Sequence, residues 1–293
     1  MQDRETPDDR WRRLLASAPP RPRRIVCLTE ETTETLHLLG ALDLVVGISG
    51  FTVRPPEARS KPKVSAFLTA RHDEILALRP DLVVGFSDLQ ADLAAELVRR
   101  GVPVVVFNQR SVAEILQTIR VTGAIVGRGD EADRLADRLA GGLREIAGRA
   151  ASLPRRPRVF FEEWNEPLIS CIRWVSELVE VAGGDDVFPE LRSQQGGKGR
   201  IVDPAEAARR DPEVVIASWC GRKAQRAAMV ARPGWDAVTA VREDQLYEVK
   251  SAHILQPGPA ALTEGVSQIE RIVAAVARGE RLTARRTGDL RRA

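Results

Sequence analysis

FFEEWNEPLISCIRWVSELVEVAGG, residues 160 to 184, is the stretch whose reading decides the fold. A short apolar run, Val159 to Phe161, stops at two acids, Glu162 and Glu163, and is followed by Trp164 and a turn-forming Asn165 to Pro167. From Trp174 onward Val175, Leu178, Val179 and Ala182 recur at helical spacing, and Gly183 and Gly184 supply the stop. Strand end, loop and helix follow one another, and α/β folds keep their ligand chemistry in such loops. Trp219 stands likewise at the end of an apolar run, Val214 to Ala217, just before Cys220 and Gly221. Aromatic residues make up only 4% of the chain, so three indoles at or beside strand-end loops suggest a wall for a large, flat ligand. Burial in the core is the competing reading for each.

Upstream, the pattern repeats. Arg24 to Leu28 reads as a strand, followed by a helix start over Thr29 to Glu34 and a stop at Gly40. Leu44 to Ile48 is a second strand that opens into Phe51 and a loop with Pro55, Pro56 and Pro62. A helix over Asp73 to Leu78 leads to a strand at Leu82 to Gly85, then the Phe86 to Asp88 loop. A helix over 90 to 100 and a strand at Val104 to Phe107, expected to be buried on both faces, close the first lobe. Residues 111 to 126 are helical, and a second helix runs to about Ala150 with Ala132, Leu135, Ala136, Leu139, Leu143 and Ile146 on one face. That helix is about 30 Å long at 1.5 Å per residue, enough to brace two lobes.

The second lobe echoes the first, since ILALRPDLVVGFSD is answered by AEAARRDPEVVIASWC. A helix around Gln225 to Val230, a strand at Gln245 to Val249, the Ser251 to Pro259 loop and a closing helix to about Arg278 complete it. The expected organisation is a mobile segment at 1–23, an α/β lobe at 24–110, a helical connector at 111–150, a second α/β lobe at 151–278 and a basic tail at 279–293. Strands alternating with helices imply mostly parallel sheets.

The formal charge of +3 reflects 44 basic against 41 acidic residues, dispersed along helices, which argues against a nucleic-acid partner. Three cysteines, 27, 171 and 220, are too few and too scattered for a disulfide framework and suit a reducing compartment. No stretch reads as a signal-peptide core or a membrane span, so the expected location is the cytoplasm, or the periplasm or a membrane anchor if a signal was trimmed. His37 reads as core and His72 as a solvated or capping residue. His253 is the one candidate axial ligand to a metal centre, and no HExxH, CxxC or paired-histidine spacing points to a resident metal site. QQGGKG at 194 to 199 lacks phosphate-loop spacing, although Lys198 or Arg200 could reach an anion. For catalysis Glu162 and Glu163 could supply acid and base, and Cys171 or Cys220 a nucleophile, but no histidine near either cysteine in the sequence would activate it.

Two α/β lobes with RPDLVVG, GVPVVVF, FEEW, WVSELVEVAGG, SWCG, RPGW and ILQPGPAAL resemble the cobalamin and iron-chelate class of periplasmic substrate-binding proteins, most closely the cobalamin branch, over roughly residues 23 to 278. The resemblance implies two Rossmann-like lobes joined by one long rigid helix, with the ligand in a cleft between the lobes. It places Thr29, Glu30, Thr32, Phe51, Phe86, Asp88, Glu163, Trp164, Trp174, Trp219 and Gln256 at the ligand, which would be cobalamin, another corrinoid or a related metal chelate. The expected protein is a monomeric binder, not an enzyme and not inserted in a membrane, that stores or hands over its ligand in the cytoplasm. The alternatives are the substrate-binding component of an ABC importer for cobalamin or an iron-siderophore, and an enzyme acting on a tetrapyrrole or bulky metal chelate. The acids with which such importers' binding proteins dock to a permease would be Asp73 and, where the second position falls on Ala205, the neighbouring Glu206. Glu206 reads equally well as a first-turn helix acid.

Overall fold

The computed structural model describes residues 6–15, 20–282 and 291–292. The chain divides into two compact units, each built from two segments. Unit 1 comprises 1–107 and 121–132, and unit 2 comprises 108–120 and 133–293.

In unit 1 the strands are β1 (Ile25–Cys27), β2 (Val45–Ser49), β3 (Lys63–Ala66), β4 (Thr69–Ala70), β5 (Leu82–Phe86) and β6 (Val104–Phe107), and the helices are α1 (Pro7–Leu15), α2 (Glu30–Leu38), α3 (His72–Ala77) and α4 (Ala91–Arg99). The sheet order is β4-β3-β2-β1-β5-β6, parallel except for the β3–β4 hairpin. Alternation along the strands serves two cores. Ile25, Cys27, Leu82 and Val84 pack with Leu36 and Val126 on one face, while Val26, Leu28 and Val83 pack with Ile75 and Leu97 on the other. β6 departs from the expectation of burial on both faces. It is the edge strand, paired only with β5, and all four of its residues are half-buried. Residues 7–15, assigned in the sequence to a mobile segment, carry helix α1.

Two long helices follow, α5 (Val112–Val126) and α6 (Gly129–Ala150), and the division between the units passes through both. All six apolar positions read along α6 are buried. The turn joining the helices is tight. Arg128 N–H donates to the Gly123 carbonyl at 2.7 Å, and a Cβ on Gly123 would stand 2.3 Å from that of Ala132.

Unit 2 contains β7 (Arg158–Trp164), β8 (Ile169–Ser170), β9 (Asp185–Asp186), β10 (Val214–Ala217), β11 (Leu246–Glu248) and β12 (Arg291–Arg292), with α7 (Arg173–Val181), α8 (Pro204–Arg209), α9 (Arg226–Val230), α10 (Thr239–Arg242), α11 (Ser251–Ile254) and α12 (Val266–Ala277). The order is β12-β11-β10-β7-β8, with β9 also on β7. β7, β9, β10 and β11 are parallel, and β8 and β12 are antiparallel to their neighbours. On one face Phe160 meets Phe188 and Trp235 edge-on at 5.7 and 6.1 Å between ring centres. The expectation of a mobile tail falls largely on 283–290 and 293, outside the described residues; Arg291–Arg292 pairs with β11. No helix among the described residues is long and apolar enough to cross a membrane.

The internal echo has a geometric counterpart. Arg79 and Asp211, each just before a proline, both adopt the left-handed region, with φ of 46° and 45°. The acid after each proline then grips the start of the neighbouring central strand. Asp81 accepts the Arg23 and Arg24 N–H groups at 2.8 Å each, and Glu213 accepts that of Arg158 at 2.9 Å. The backbone N–H of each acid donates back, Asp81 to the Arg24 carbonyl and Glu213 to that of Arg158. Hydrogen bonds to charged groups contribute about 1.5–3 kcal/mol. Asp81→Ala and Glu213→Ala should therefore each lower stability by about 2 kcal/mol in urea unfolding, whereas Asp43→Ala, an exposed acid in the turn before β2, should change it by less than about 0.5 kcal/mol.

Candidate functional site

In each unit the order of parallel strands reverses beside a central strand, between β1 and β5 in unit 1 and between β7 and β10 in unit 2. Loops leaving the carboxyl ends of strands at such reversals are where α/β sheets hold ligands.

At the β1 end of unit 1 the chain passes through Thr29 into α2, whose first two turns are buried all round, from Glu30 to Thr35. Thr29 makes no side-chain cap; its hydroxyl donates to Glu31 Oε1 at 2.5 Å. Three carboxylates crowd here. Glu34 pairs with Arg54 at 2.8 Å, while Glu31 Oε2 is buried without a hydrogen-bond partner among the described residues. Burial pushes the Glu30 carboxyl up to about 8, reinforced by the charges of Glu31 and Glu34. Burial likewise raises Glu31 to about 7 against the hydrogen bond from Thr29. The β5 end is strained, since Ser87 sits at φ 81°, ψ 144°, a region ordinarily left to glycine. It is held by its N–H to the Phe107 carbonyl and by Gln90, which accepts the Phe86 N–H at 3.0 Å and donates to the Phe67 carbonyl at 2.7 Å. Of the remaining expected site residues in this unit, Thr32 and Phe86 are buried, Asp88 is exposed, and Phe51, after β2, is 52% exposed.

In unit 2 the structure corrects the reading of the decisive stretch. β7 does not stop at the acids but runs through Glu162 and Glu163 to Trp164, extended by antiparallel pairing with β8. Both carboxylates can sit in a strand because each is neutralised. Glu162, fully buried, accepts two bonds from Arg232, at 2.8 and 2.7 Å, and one from the Trp219 indole at 2.8 Å. Burial pushes its carboxyl up, and Arg232 and Trp219 oppose that shift. Glu163, on the other face of the strand, holds Arg200 at 2.6 and 3.0 Å. Arg200, considered as an anion contact, is 2% exposed and committed to that pair.

The indoles separate. Trp174 is a core residue of α7, 2% exposed, its N–H donated to the Ile254 carbonyl at 2.9 Å. Trp219 is 6% exposed and packs with Ala217, Ala224 and Met229. Neither presents a ring face to solvent, contrary to the sequence expectation, because each indole N–H finds a buried acceptor. Trp164 is half-buried against the Trp219 cluster, with the Arg222 guanidinium 5.3 Å from its ring centre. Gln256 is half-buried in the turn after α11. His253 has Nδ1 2.8 Å from Gln268 Nε2.

The groups considered for catalysis differ in their surroundings. Glu162 and Glu163 are paired, Cys171 is buried with its thiol pushed well up by desolvation, and of the two cysteines considered only Cys220 is exposed. Asp73 is 94% exposed and bonded to Arg100 at 2.9 Å. Glu206 follows an Asp203 cap at the head of α8 and is gripped by Arg209 and Arg210, which pull its carboxyl down to about 2. Among the described residues no three His, Cys, Asp or Glu side chains gather to hold a metal ion. Sequence reading missed Glu31, Glu34 and Arg54. The spacing of acids at 30, 31 and 34 was the available signal, since it puts three charges on one turn.

Residues 25–252 match the family described as Periplasmic binding protein, and the chain belongs to it. It is 26% identical over 257 residues to a Bacillus subtilis protein named uncharacterized ABC transporter substrate-binding lipoprotein YvrC, covering 85% of this chain and 79% of that one. It is 25% identical over 211 residues to the vitamin B12-binding protein of Pectobacterium carotovorum, covering 69% and 74%. In fold it matches a periplasmic heme-binding protein of Pseudomonas aeruginosa with a TM-score of 0.75 at 19% identity, covering 90% of this chain and 96% of that one.

Two outcomes follow from the charges. Removing Arg232 leaves Glu162 buried and unpaired, so Arg232→Met should cost about 3–5 kcal/mol. With Glu162→Gln in the same chain the loss should shrink, giving a coupling of about 2 kcal/mol in a urea double-mutant cycle; strict additivity would contradict the pairing. The second concerns pH. A folded-state carboxyl raised to about 8 makes the folded chain hold a proton that the unfolded chain has released, so its contribution is present below the ordinary carboxylate range and lost as pH rises to 8. Glu30→Gln should stabilise the protein by several kcal/mol more at pH 8.5 than at pH 4, about 1.4 kcal/mol for each pH unit between the two carboxyl values; an equal change in Tm at both would refute this.

Proposed function

We propose that this protein is the substrate-binding component of an ABC importer and binds cobalamin or a related corrinoid, without transforming it, at the loops leaving the carboxyl ends of β1, β5, β7 and β10. The carrying observation is the acid-rich head of α2. Glu30 and Glu31, buried and without a cationic partner of their own among the described residues, suit a ligand that approaches with N–H donors, as the peripheral amides of a corrin do. Trp164 offers the aromatic surface that a corrin's apolar face and methyl groups favour, and exposed Phe51 offers the same in unit 1. The names of the relatives support the reading at two levels, vitamin B12 binding in one and an ABC substrate-binding lipoprotein in another.

These names favour a periplasmic or membrane-anchored location over the cytoplasmic one expected from the sequence. Permease docking would fall to Asp73 and Glu206. Of the two, Asp73 is the more available, because Glu206 is already shared by two arginines of its own helix and the residue after it. Axial ligation by His253 would compete with the contact between its Nδ1 and Gln268.

The test is a calorimetric titration with cyanocobalamin, haemin and a ferric siderophore. Saturable binding of cyanocobalamin alone is expected, and preferential binding of haemin would overturn the reading. Trp164→Ala should weaken cyanocobalamin at least tenfold while leaving Tm within a few degrees, whereas Trp219→Ala should act mainly on stability, by about 3–5 kcal/mol.

A further inference from the structure

Unit 1 has a recess at the opposite end of its sheet from the β1 and β5 loops. Pro20 to Arg23, which lead the chain into β1, form one wall. Ala41, Asp43 and Leu44, which lead into β2, form another, and Val126, Gly127 and Arg128, at the α5–α6 turn, form the third. They enclose about 420 Å³. β1 and β2 are parallel and both begin here, so the recess lies at the amino ends of strands whose carboxyl ends carry the ligand loops.

Its charge is one-sided. Arg21, Arg23 and Arg128 line it with Asp43 as the one carboxylate. Asp81, which might have offset them, has both oxygens committed to the backbone N–H groups of Arg23 and Arg24. The Arg24 guanidinium is turned to the Leu78 and Arg79 carbonyls and takes no part. Among the described residues Arg21 and Arg23 make no side-chain ion pair, and Arg128 reaches only Glu131, at 3.7 Å.

The Arg21 side chain is also positioned. The Arg21 guanidinium lies across Gly127, where a Cβ would stand 2.0 to 2.5 Å from its Nη1, Cζ and Nε atoms. Gly127 itself is required for its φ of +71°. Arg23 and Arg128 are held at the backbone, where the Arg23 N–H donates to Asp81 and the Arg128 N–H to the Gly123 carbonyl. Three like charges opposed by a single carboxylate raise the free energy of the empty site and lower it when an anion enters.

We propose that this recess binds a phosphorylated small molecule of about mononucleotide size. Its phosphate is held by Arg21, Arg23 and Arg128, and its apolar body rests on Pro22, Leu44 and Val126. The fork geometry of arginine matches a phosphate bidentately, and a dianion offsets the net charge of the lining better than a monocarboxylate does. The volume is that of ordinary small-molecule sites.

The test is calorimetry on the full chain at low ionic strength with AMP, inorganic phosphate and adenosine. AMP should bind, phosphate more weakly, and adenosine not measurably. Arg21→Ala and Arg128→Ala should each weaken AMP at least tenfold, and Asp43→Asn, which removes the opposing charge, should tighten it severalfold. These opposite signs separate loss of a contact from loss of folding. Cyanocobalamin titrations should be the same in all variants and with AMP present, so this site can fail without the first and the first without this. Absence of binding by both AMP and phosphate, adenosine binding as well as AMP, or weakening by Asp43→Asn would each overturn the proposal.

Discussion

A carboxylate with no solvent exposure in the middle of a β-strand must be neutralised where it stands, and much of unit 2 follows from how Glu162 meets that requirement. Arg232 supplies two donors and the Trp219 indole a third. Arg232 is itself stacked 4.4 Å from the Trp235 ring centre, and Trp235 packs edge-on against Phe160, two residues before Glu162 on the same strand. Charge, cation–π contact and core packing therefore form a closed loop through β7. With Glu162 satisfied the strand can continue, pair with β8 and bring Trp164 to its end. Glu163 solves the same problem on the opposite face with Arg200. Two acids that look reactive in the sequence are fixtures of the scaffold.

The two units share a rule that is chemical as much as topological. A left-handed residue, a proline and an acid precede β5 and β10, and the acid closes onto the first N–H of the adjoining central strand. The clamp sets where β1 and β7 begin relative to their neighbours, and so where their carboxyl ends fall. Placing those ends places the loops. In unit 1 the result is a buried group of acids and a strained Ser87, and in unit 2 a half-exposed indole over a buried one.

The alternation of strands and helices was legible because apolar period, glycine stops and prolines are local signals. Gly40, Gly101 and Gly183 do adopt positive φ where helices were read to end. What escaped were the facts that depend on a distant partner. Glu162 and Glu163 read as a strand end because Arg232 and Arg200 lie 70 and 37 residues further on. Trp174 and Trp219 read as ligand-facing because nothing local shows that Ile254 and Glu162 accept their N–H groups. Val104 to Phe107 read as fully buried because an edge strand and a central strand can have the same composition. At the head of α2 the position was recognised, but its character was not. A run of Thr and Glu resembles any helix start until burial turns it into a site whose protonation is at issue.

The division of the chain through α5 and α6 bears on how the protein is made. Unit 1 is incomplete at residue 107, because Ile125 and Val126 from the end of α5 belong to one of its two cores. The segment 108–120 is therefore synthesised before unit 1 can close, yet belongs to unit 2. Ile115 and Ile119, buried in the finished protein, lack the rest of their own unit until β7 and α7 have been translated. At about 5–20 residues per second that wait lasts several seconds. For this interval an apolar helix face lies open on the nascent chain, and it is there, not in either sheet, that a chaperone would find its handhold.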